Sequence, residues 1–194
     1  MTRTRVLTEC AIMLSLAFVL SMIKLYQAPL GGEVTLFGMV PIFIICFKYG
    51  FKRGLFTSLC FALVMLLTGM GTISYVPTLK GVVLCIFFDY IFAFGSISIA
   101  GLFKNETLKT SRVVMGVLAA CLVRLASHII SGAVVWYEIT RAGDWNETVH
   151  KMGMWAYSLM YNAQYMIPEI LITLIAVPVI IRIIKQVNGN KISA

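Results

Sequence analysis

The stretch Arg124–Trp136, which reads RLASHIISGAVVW, interrupts a long apolar segment with an arginine, a histidine, a glycine and a tryptophan. Arg124, His128, Gly132 and Trp136 recur at intervals of four. On a helix of about 3.6 residues per turn they form one slowly drifting stripe. Ionisable groups in a membrane helix are costly and normally face the protein interior or a wet cavity. The stretch therefore predicts the wall of a binding site, where Gly132 leaves room for a close approach to the backbone.

The composition of the whole chain is that of an integral membrane protein. Of the 194 residues, 60% are hydrophobic and only 12% are charged, whereas a soluble domain has about 25% charged residues. The mean hydropathy is +0.92. The first apolar segment lacks a small-residue cleavage motif, so we interpret it as a retained helix rather than a signal peptide. The formal charge of +8 does not indicate nucleic-acid binding, because the basic residues lie in short loops between apolar segments.

The sequence lacks the patterns that are typical of enzymes. Its five cysteines are widely separated within apolar segments and form no CxxC pair, which favours small buried hydrophobes over a metal or redox site. We find no nucleophile–base pair, metal cluster or Walker motif. We therefore predict no enzymatic activity, no metal and no cofactor. An intramembrane enzyme that uses His128 and Asp89 is the least favoured hypothesis, because no activated nucleophile accompanies them.

Six transmembrane helices are predicted, and together they make a single all-α membrane domain over residues 1–194. They cover residues 7–25, 34–47, 54–70, 81–103, 112–137 and 154–184. The second is short for a full crossing, so we expect it to tilt or to begin deep in the membrane.

The positive charges predict the orientation of the bundle. With the N-terminus inside, the cytoplasmic helix ends carry eleven basic residues and the outer ends carry four. The eleven are Arg3, Arg5, Lys48, Lys52, Arg53, Lys104, Lys109, Arg112, Arg182, Lys185 and Lys191. The four are Lys24, Lys80, Arg141 and Lys151. Because cytoplasmic loops of membrane proteins carry the excess of Lys and Arg, both termini are predicted to be cytoplasmic.

Four ionisable residues inside the spans fall into two layers by depth. Counting the rise per residue from the outer helix ends places Asp89 and His128 at a depth of about 12–13 Å, in a layer that opens outward. Arg124 and Glu169 lie near the midpoints of their spans and form a lower layer. The lower layer is most simply a buried ion pair, and removing one partner would cost roughly 3–5 kcal/mol. A direct role in ligand binding or proton movement is the alternative.

Aromatic residues and an asparagine surround the upper layer. Tyr90 follows Asp89, and Trp136 closes the fifth span. The sixth span opens with MWAYSLMYNAQY, which contains Trp155, Tyr157, Tyr161, Asn162 and Tyr165. Aromatic residues at outer helix ends can simply form the interfacial belt. A carboxylate ringed by aromatic faces also suits an organic cation, through charge neutralisation and cation–π attraction, and Asn162 offers a donor and an acceptor to a heteroaromatic edge.

Small residues recur at intervals of four in the first and third spans. The rows are Ala11 and Ser15, and Gly50, Gly54, Ser58 and Ala62. Such rows let helices approach closely. On pattern alone, packing inside the bundle is favoured over docking of a partner.

Four separated segments, in order, resemble the thiamine-specific substrate-binding subunit, or S-component, of energy-coupling factor vitamin transporters. They are Pro29–Leu36 running on to Met39–Pro41, Asp89-Tyr90 within DYIFAF, Arg124–Trp136, and Tyr157-Ser158-Leu159 with Tyr161-Asn162, which ends at Pro168-Glu169. The family has a Pro-x-Gly-Gly-Ser segment, an Asp/Glu-Tyr motif, a histidine–glycine–tryptophan helix and a YSL-x-YN segment at these places. The chain departs from the family at two positions, with Glu33 in place of the usual serine and Ser15 in place of an alanine.

The resemblance implies a function and a site. It implies that thiamine is captured at the outer face of a prokaryotic plasma membrane, with the first loop as a lid. The implied thiamine-site residues are Asp89, Tyr90, His128, Gly132, Trp136, Tyr157 and Asn162. It also implies that the face with Ala11 and Ser15 contacts a transmembrane coupling subunit, and that two cytoplasmic ATPases drive transport. The chemistry of thiamine agrees, because its thiazolium is a cation that Asp89 can offset and its aminopyrimidine suits Asn162.

Other transport hypotheses are kept open by the sequence. One is an S-component for another vitamin or for a thiamine precursor. The other is a self-sufficient secondary transporter in which Arg124 and Glu169 relay protons, which is disfavoured because no inverted repeat of broken helices is evident.

Overall fold

The computed structural model describes residues 2–143 and 146–189, so Lys191 of the predicted cytoplasmic charges lies outside the described part. The elements run in the order α1 (Arg3–Ser21), β1 (Lys24–Gln27), β2 (Glu33–Thr35), α2 (Val40–Tyr49), α3 (Phe51–Ile73), α4 (Leu79–Phe103), α5 (Thr110–Ala142), α6 (Thr148–Lys151), α7 (Met154–Ile175) and α8 (Val177–Gly189). The described chain is thus a helical bundle with one two-stranded hairpin.

Within the described residues, four helices are long and apolar enough to cross a membrane, namely α1, α3, α4 and α5. Helices α7 and α8 pass the same test as a pair that is bent by 41°. The sixth predicted span, 154–184, is therefore divided in two. Pro178 explains the division, because its ring clashes with the carbonyl four residues earlier in a continuous helix but fits the first turn of a new one.

The second predicted span, 34–47, is wrong in its extent. Residues 33–35 form β2, and α2 begins only at Val40, with Pro41 in its first turn. Its ten residues reach about 15 Å, which is half of the ~30 Å hydrocarbon core. All residues from Val40 to Phe47 are buried, in contact with α1, α3, α4 and α8. This short apolar segment is a core helix of the bundle.

The first predicted span, 7–25, extends too far at its C-terminal end. Helix α1 stops at Ser21, and β1 then pairs antiparallel with β2, with Lys24 opposite Thr35. The apolar run continues through Leu25, so hydropathy could not separate the strand from the helix. The hairpin turns through residues 28–32 and is positioned over one end of the bundle.

The two rows of small residues have different surroundings. Gly54, Ser58 and Ala62 of α3 are buried, so that row packs inside the bundle. Ala11 and Ser15 of α1 are exposed. The Ser15 hydroxyl donates to the Ala11 carbonyl at 3.0 Å, which satisfies the hydroxyl within its own helix.

Candidate functional site

A cavity of about 270 Å³ lies between the β1–β2 hairpin and the adjoining parts of α3, α4, α5 and α7. All the residues that were predicted to bind a ligand line it, namely Asp89, Tyr90, His128, Gly132, Trp136, Tyr157 and Asn162. Arg124 and Glu169 line it as well. The lining residues come from seven elements, namely the two strands and the helices α1, α3, α4, α5 and α7.

Asp89 makes the most hydrogen bonds of the ionisable groups in this cavity. Its Oδ1 lies 2.9 Å from His128 Nδ1. Its Oδ2 accepts hydrogen bonds from Ser131 Oγ at 2.6 Å and from Trp136 Nε1 at 2.9 Å, and Cys85 Sγ lies at 3.4 Å. The structure therefore brings the aspartate, the imidazole and the indole together, with the carboxylate held in one orientation.

Wide helical turns place these groups. Asp89 lies in the π-helical segment Ile86–Phe92 of α4, and Trp136 ends the π-helical segment Gly132–Trp136 of α5. In α5 the Tyr137 N–H donates to the Gly132 carbonyl, five residues back. On a regular α-helix, residues four apart drift by about 40° per step. The wider turn offsets this drift, so that Trp136 stays on the side of His128 and reaches Asp89.

Two buried nitrogen atoms in the cavity wall have no hydrogen-bond partner in the described structure, Arg124 Nε and His128 Nε2. The imidazole of His128 meets the ring of Tyr165 edge-on, with centroids 6.0 Å apart. The guanidinium of Arg124 lies over the Phe94 ring at 4.6 Å, and its Nη1 is 2.7 Å from Met39 Sδ. Because unpaired buried donors and acceptors are costly, each of these atoms would gain from a polar partner.

The predicted ion pair between Arg124 and Glu169 is not formed directly. The Glu169 carboxylate accepts two hydrogen bonds from Thr35, from the backbone N–H at 2.7 Å and from Oγ1 at 2.8 Å. No described hydrogen bond or salt bridge joins it to Arg124. The reason is the hairpin, which supplies two donors to Glu169, while Arg124 faces an aromatic ring. Sequence analysis paired the two residues by depth and could not place the strand between α1 and α2.

Gly132 accommodates a neighbouring helix. A Cβ atom at this position would overlap Ser158 Oγ and lie 2.9 Å from Asn162 Nδ2. Ser158 in turn donates to the Ile129 carbonyl at 2.7 Å. The close approach that the glycine permits is therefore that of α7 against α5, and this contact forms one wall of the cavity.

Asn162 and Tyr157 both lie on α7 and are buried. Asn162 donates to the Ser158 carbonyl at 2.8 Å and accepts a hydrogen bond from the Tyr165 hydroxyl. The Tyr157 hydroxyl accepts from Asn146 Nδ2 at 2.8 Å. Each polar group is thus oriented by a protein partner before any ligand arrives.

Tyr161 and Tyr165 also line the cavity, although the sequence analysis did not assign them to the ligand site. The Tyr161 hydroxyl accepts from Leu30 N and donates to the Gly31 carbonyl, both at 3.1 Å. The Tyr165 ring packs so closely under Gly32 that a Cβ there would lie 2.5 Å from Cδ1, and Gly32 has a φ of +90°, which favours glycine. Both tyrosines hold the hairpin against α7. Tyr157, Tyr161 and Tyr165 follow one another at intervals of four, and this helical spacing could have identified them.

Trp155 lies apart from the cavity. Its side chain is 51% exposed, as expected of a residue in an interfacial aromatic belt. The belt interpretation therefore fits Trp155, whereas the neighbouring tyrosines of α7 face inward.

Five charged side chains line the cavity: Lys24, Glu33, Asp89, Arg124 and Glu169. Two are cationic and three are carboxylates, so the lining has one formal negative charge in excess when all five groups are ionised and His128 is neutral. Lys24 and Glu33 form an ion pair at 2.5 Å. The described partners of Asp89, by contrast, are neutral donors and the imidazole. The excess negative charge is best matched by a monovalent cation near Asp89.

The described residues contain no group of three or more His, Cys, Asp or Glu side chains that could hold a metal ion. The cysteines among them are all free.

Comparison with known proteins gives consistent matches. Residues 7–188 match the family model described as Thiamine transporter protein (Thia_YuaJ). The chain is 34% identical over 178 residues to the thiamine transporter ThiT of Bacillus subtilis (strain 168), which covers 86% of this chain and 84% of that protein. This chain also resembles a solved structure of ThiT from Listeria monocytogenes, with a TM-score of 0.66 and 22% identity over 97% of each chain. At that identity the structural match concerns the fold.

Proposed function

This chain belongs to the thiamine transporter family, and from that membership we propose that it is the thiamine-binding S-component of an energy-coupling factor importer. As a member of this family it is a transporter rather than an enzyme, and a multi-pass protein of a prokaryotic plasma membrane. The proposal extends to the ligand, the site and the partners, each of which has its own support.

The observation that carries the proposal is the environment of Asp89. Thiamine carries one positive charge on its thiazolium ring, and the cavity lining carries one negative charge in excess. Trp136 and His128 border the carboxylate, so that flat rings and a negative charge meet at one place. This arrangement suits an aromatic cation through charge neutralisation and stacking. The volume of about 270 Å³ is close to the lower end of the ~300–1,000 Å³ that small-molecule sites occupy.

We assign the ligand contacts to the residues of this lining. Asp89 would offset the thiazolium charge, and Trp136, His128, Tyr90 and Tyr157 would provide aromatic surface. Asn162 would face the aminopyrimidine after its bond to Tyr165 rearranges or is shared. The hairpin, which Tyr161 and Glu169 hold over the cavity, would act as the lid.

We propose that the cavity opens to the outside and that both termini are cytoplasmic. The cavity lies at the C-terminal end of α1, where Ser21 and Met22 contribute to its lining. An N-terminus inside the cell therefore places the cavity at the outer face. The excess of basic residues at the opposite helix ends supports the same orientation.

The exposed row of Ala11 and Ser15 supports a partner in the membrane. The serine hydroxyl bonds back to its own helix, so it needs no partner from outside, and small residues let a second helix approach closely. We infer that the transmembrane coupling protein docks here and that two ATPases supply the energy. The chain itself has no phosphate-binding loop.

Titration calorimetry of the purified protein with thiamine tests the ligand assignment. We expect saturable binding of one thiamine per chain, together with a change in tryptophan fluorescence because Trp136 borders the site. A panel with the pyrimidine fragment and other vitamins serves as the control. Tight binding of a different vitamin without a response to thiamine would overturn the assignment.

Uptake into membrane vesicles tests the partners. We expect thiamine uptake that requires the coupling protein and ATP hydrolysis, and that is lost when Ala11→Trp blocks the docking face while binding is unchanged. Uptake driven by a proton gradient in vesicles that contain this chain alone would support a secondary transporter instead.

A further inference from the structure

An ion pair lies at the hairpin side of the cavity. Lys24 of β1 and Glu33 of β2 are joined at 2.5 Å between Nζ and Oε1. Their side chains are 33% and 23% exposed, and both line the cavity. The pair therefore lies where the cavity meets solvent and joins the two strands diagonally, because Lys24 is opposite Thr35 and Glu33 is opposite Gln27.

Lys24 and Arg124 are the two cationic side chains of the described cavity lining. Arg124 is 8% exposed, and its guanidinium already lies over Phe94 and against Met39. Lys24 is thus the cation that a strongly hydrated anionic group could reach without leaving water. In the structure its ammonium already forms an ion pair with the Glu33 carboxylate.

A phosphate monoester of the ligand would place its charges near this pair. A phosphoryl group carries about −1.5 to −2 charges at pH 7, and it is too well hydrated to be buried without a paired cation. The ring systems would occupy the aromatic interior beside Asp89, which leaves the phosphoryl group at the solvent side. There it would meet the carboxylate of Glu33 instead of a free ammonium, and like charges at short range oppose binding.

We propose that the Lys24–Glu33 ion pair makes this site select the free vitamin against its phosphate esters. Glu33 pairs with the ammonium of Lys24, which is then not free to bind a phosphoryl group, and it places a negative charge at the cavity mouth. This inference rests on the proposed function, and it adds a residue that sets specificity. The inference gives Glu33 a role in specificity, at the position where thiamine-specific S-components usually have serine.

The test measures affinities for thiamine and for thiamine monophosphate in parallel. In Glu33→Gln we expect the monophosphate to bind about five- to tenfold more tightly and thiamine to bind equally or about twofold more weakly. The physical reason is that Lys24 becomes free to pair with the phosphoryl group while the negative charge beside it is lost. The measured quantity is the ratio of the two dissociation constants.

Two further variants identify the cause. In the double variant Lys24→Gln/Glu33→Gln the gain for the monophosphate should disappear, because no ammonium remains at the mouth. Glu138→Gln is the matched control, because Glu138 is an exposed carboxylate of α5 outside the cavity lining, and it should leave the ratio unchanged. The charge-reversed pair Lys24→Glu/Glu33→Lys keeps the hairpin ion pair and should retain selectivity for thiamine, which covers the case that the single variant is unstable.

The outcomes separate the inference from the proposed function. A wild-type protein that binds thiamine, with an unchanged ratio in Glu33→Gln, would overturn the inference and leave the proposed function intact. A gain that persists in the double variant would overturn it as well. A folded wild-type protein that binds neither compound would overturn the proposed function and this inference together.

Discussion

The carboxylates of Asp89 and Glu169 line one cavity but are held by different parts of the chain. Asp89 bonds to side chains of α5, a long helix that packs along α4. Glu169 bonds to the backbone and hydroxyl of Thr35, in the short strand β2. One carboxylate is fixed between two helices, and the other ties a hairpin to a helix. We therefore expect Asp89 to determine how tightly a cation binds and Glu169 to determine how long it stays.

The largest effect is expected for Asp89→Asn. The substitution removes the charge that offsets the ligand and turns an amide toward the donors of Ser131 and Trp136. We expect thiamine affinity to fall by about 100-fold or more, equivalent to ~3 kcal/mol. Titration calorimetry measures the affinity, and thermal melting checks that the protein is folded. Glu138→Gln is the control for removal of an exposed carboxylate, and equal affinity in a folded Asp89→Asn protein would remove Asp89 from the site.

Gly132→Ala tests the wall that supports the Asp89 side of the cavity. The added methyl group would overlap Ser158 Oγ, and overpacking of this kind costs roughly 1–3 kcal/mol. We expect a lower melting temperature, with partial recovery in Gly132→Ala/Ser158→Ala because the obstructing hydroxyl is gone. Gly71→Ala is the matched control, since a Cβ at Gly71 would meet nothing within 4 Å. Equal melting temperatures for Gly132→Ala and Gly71→Ala would contradict the close contact of α5 and α7.

Glu169→Gln tests the hairpin side of the comparison. The amide that replaces one oxygen cannot accept both hydrogen bonds from Thr35, so the hairpin is held less firmly. We expect thiamine to dissociate about tenfold faster with little change in its association rate. Stopped-flow tryptophan fluorescence measures both rates. In a cycle with Thr35→Val the two effects should be less than additive, and strictly additive effects would show that Glu169 acts through another partner.

Tyr161→Phe is expected to give the smallest effect. It removes the hydroxyl that bonds to Leu30 and Gly31, which is worth about 1 kcal/mol. We expect faster hydrogen exchange in residues 28–35 and a severalfold faster loss of thiamine, while exchange in α4 and α5 stays the same. Tyr75→Phe is the control, because Tyr75 is 65% exposed. Unchanged exchange in the hairpin would show that Tyr161 does not anchor it.

The helical side of the cavity could be predicted from sequence because its residues repeat at helical intervals. His128 and Trp136 recur with the period of a turn in an apolar segment, and depth along α4 placed Asp89 beside them. The π-helical turns could not be predicted, since the sequences IFFDYIF and GAVVW are equally compatible with a regular α-helix. These turns change the direction in which Asp89 and Trp136 point, whereas their depth in the membrane could be estimated from the sequence.

The hairpin side could not be predicted for a different reason. Strands β1 and β2 have four and three residues, which is too short for an alternating pattern to stand out from the neighbouring apolar run. The partner of Glu169 lies in one of them, 134 residues away in sequence. The depth estimates therefore paired Glu169 with Arg124, the charged residue at the same depth, and did not identify Thr35 as its partner. The same limitation extended the second predicted span over residues that belong to β2.

The enclosure of α2 has a consequence for biogenesis. A ten-residue helix whose surface is covered by protein gains little from lipid and is too short to be retained in the bilayer as an independent insert. Gly50, at a φ of +83°, joins it directly to α3, so we expect the two helices to insert together as one helical hairpin. We expect the closure of α1, α4 and α8 around α2 to complete the bundle, because the apolar residues Val40–Phe47 stay uncovered until these helices have packed.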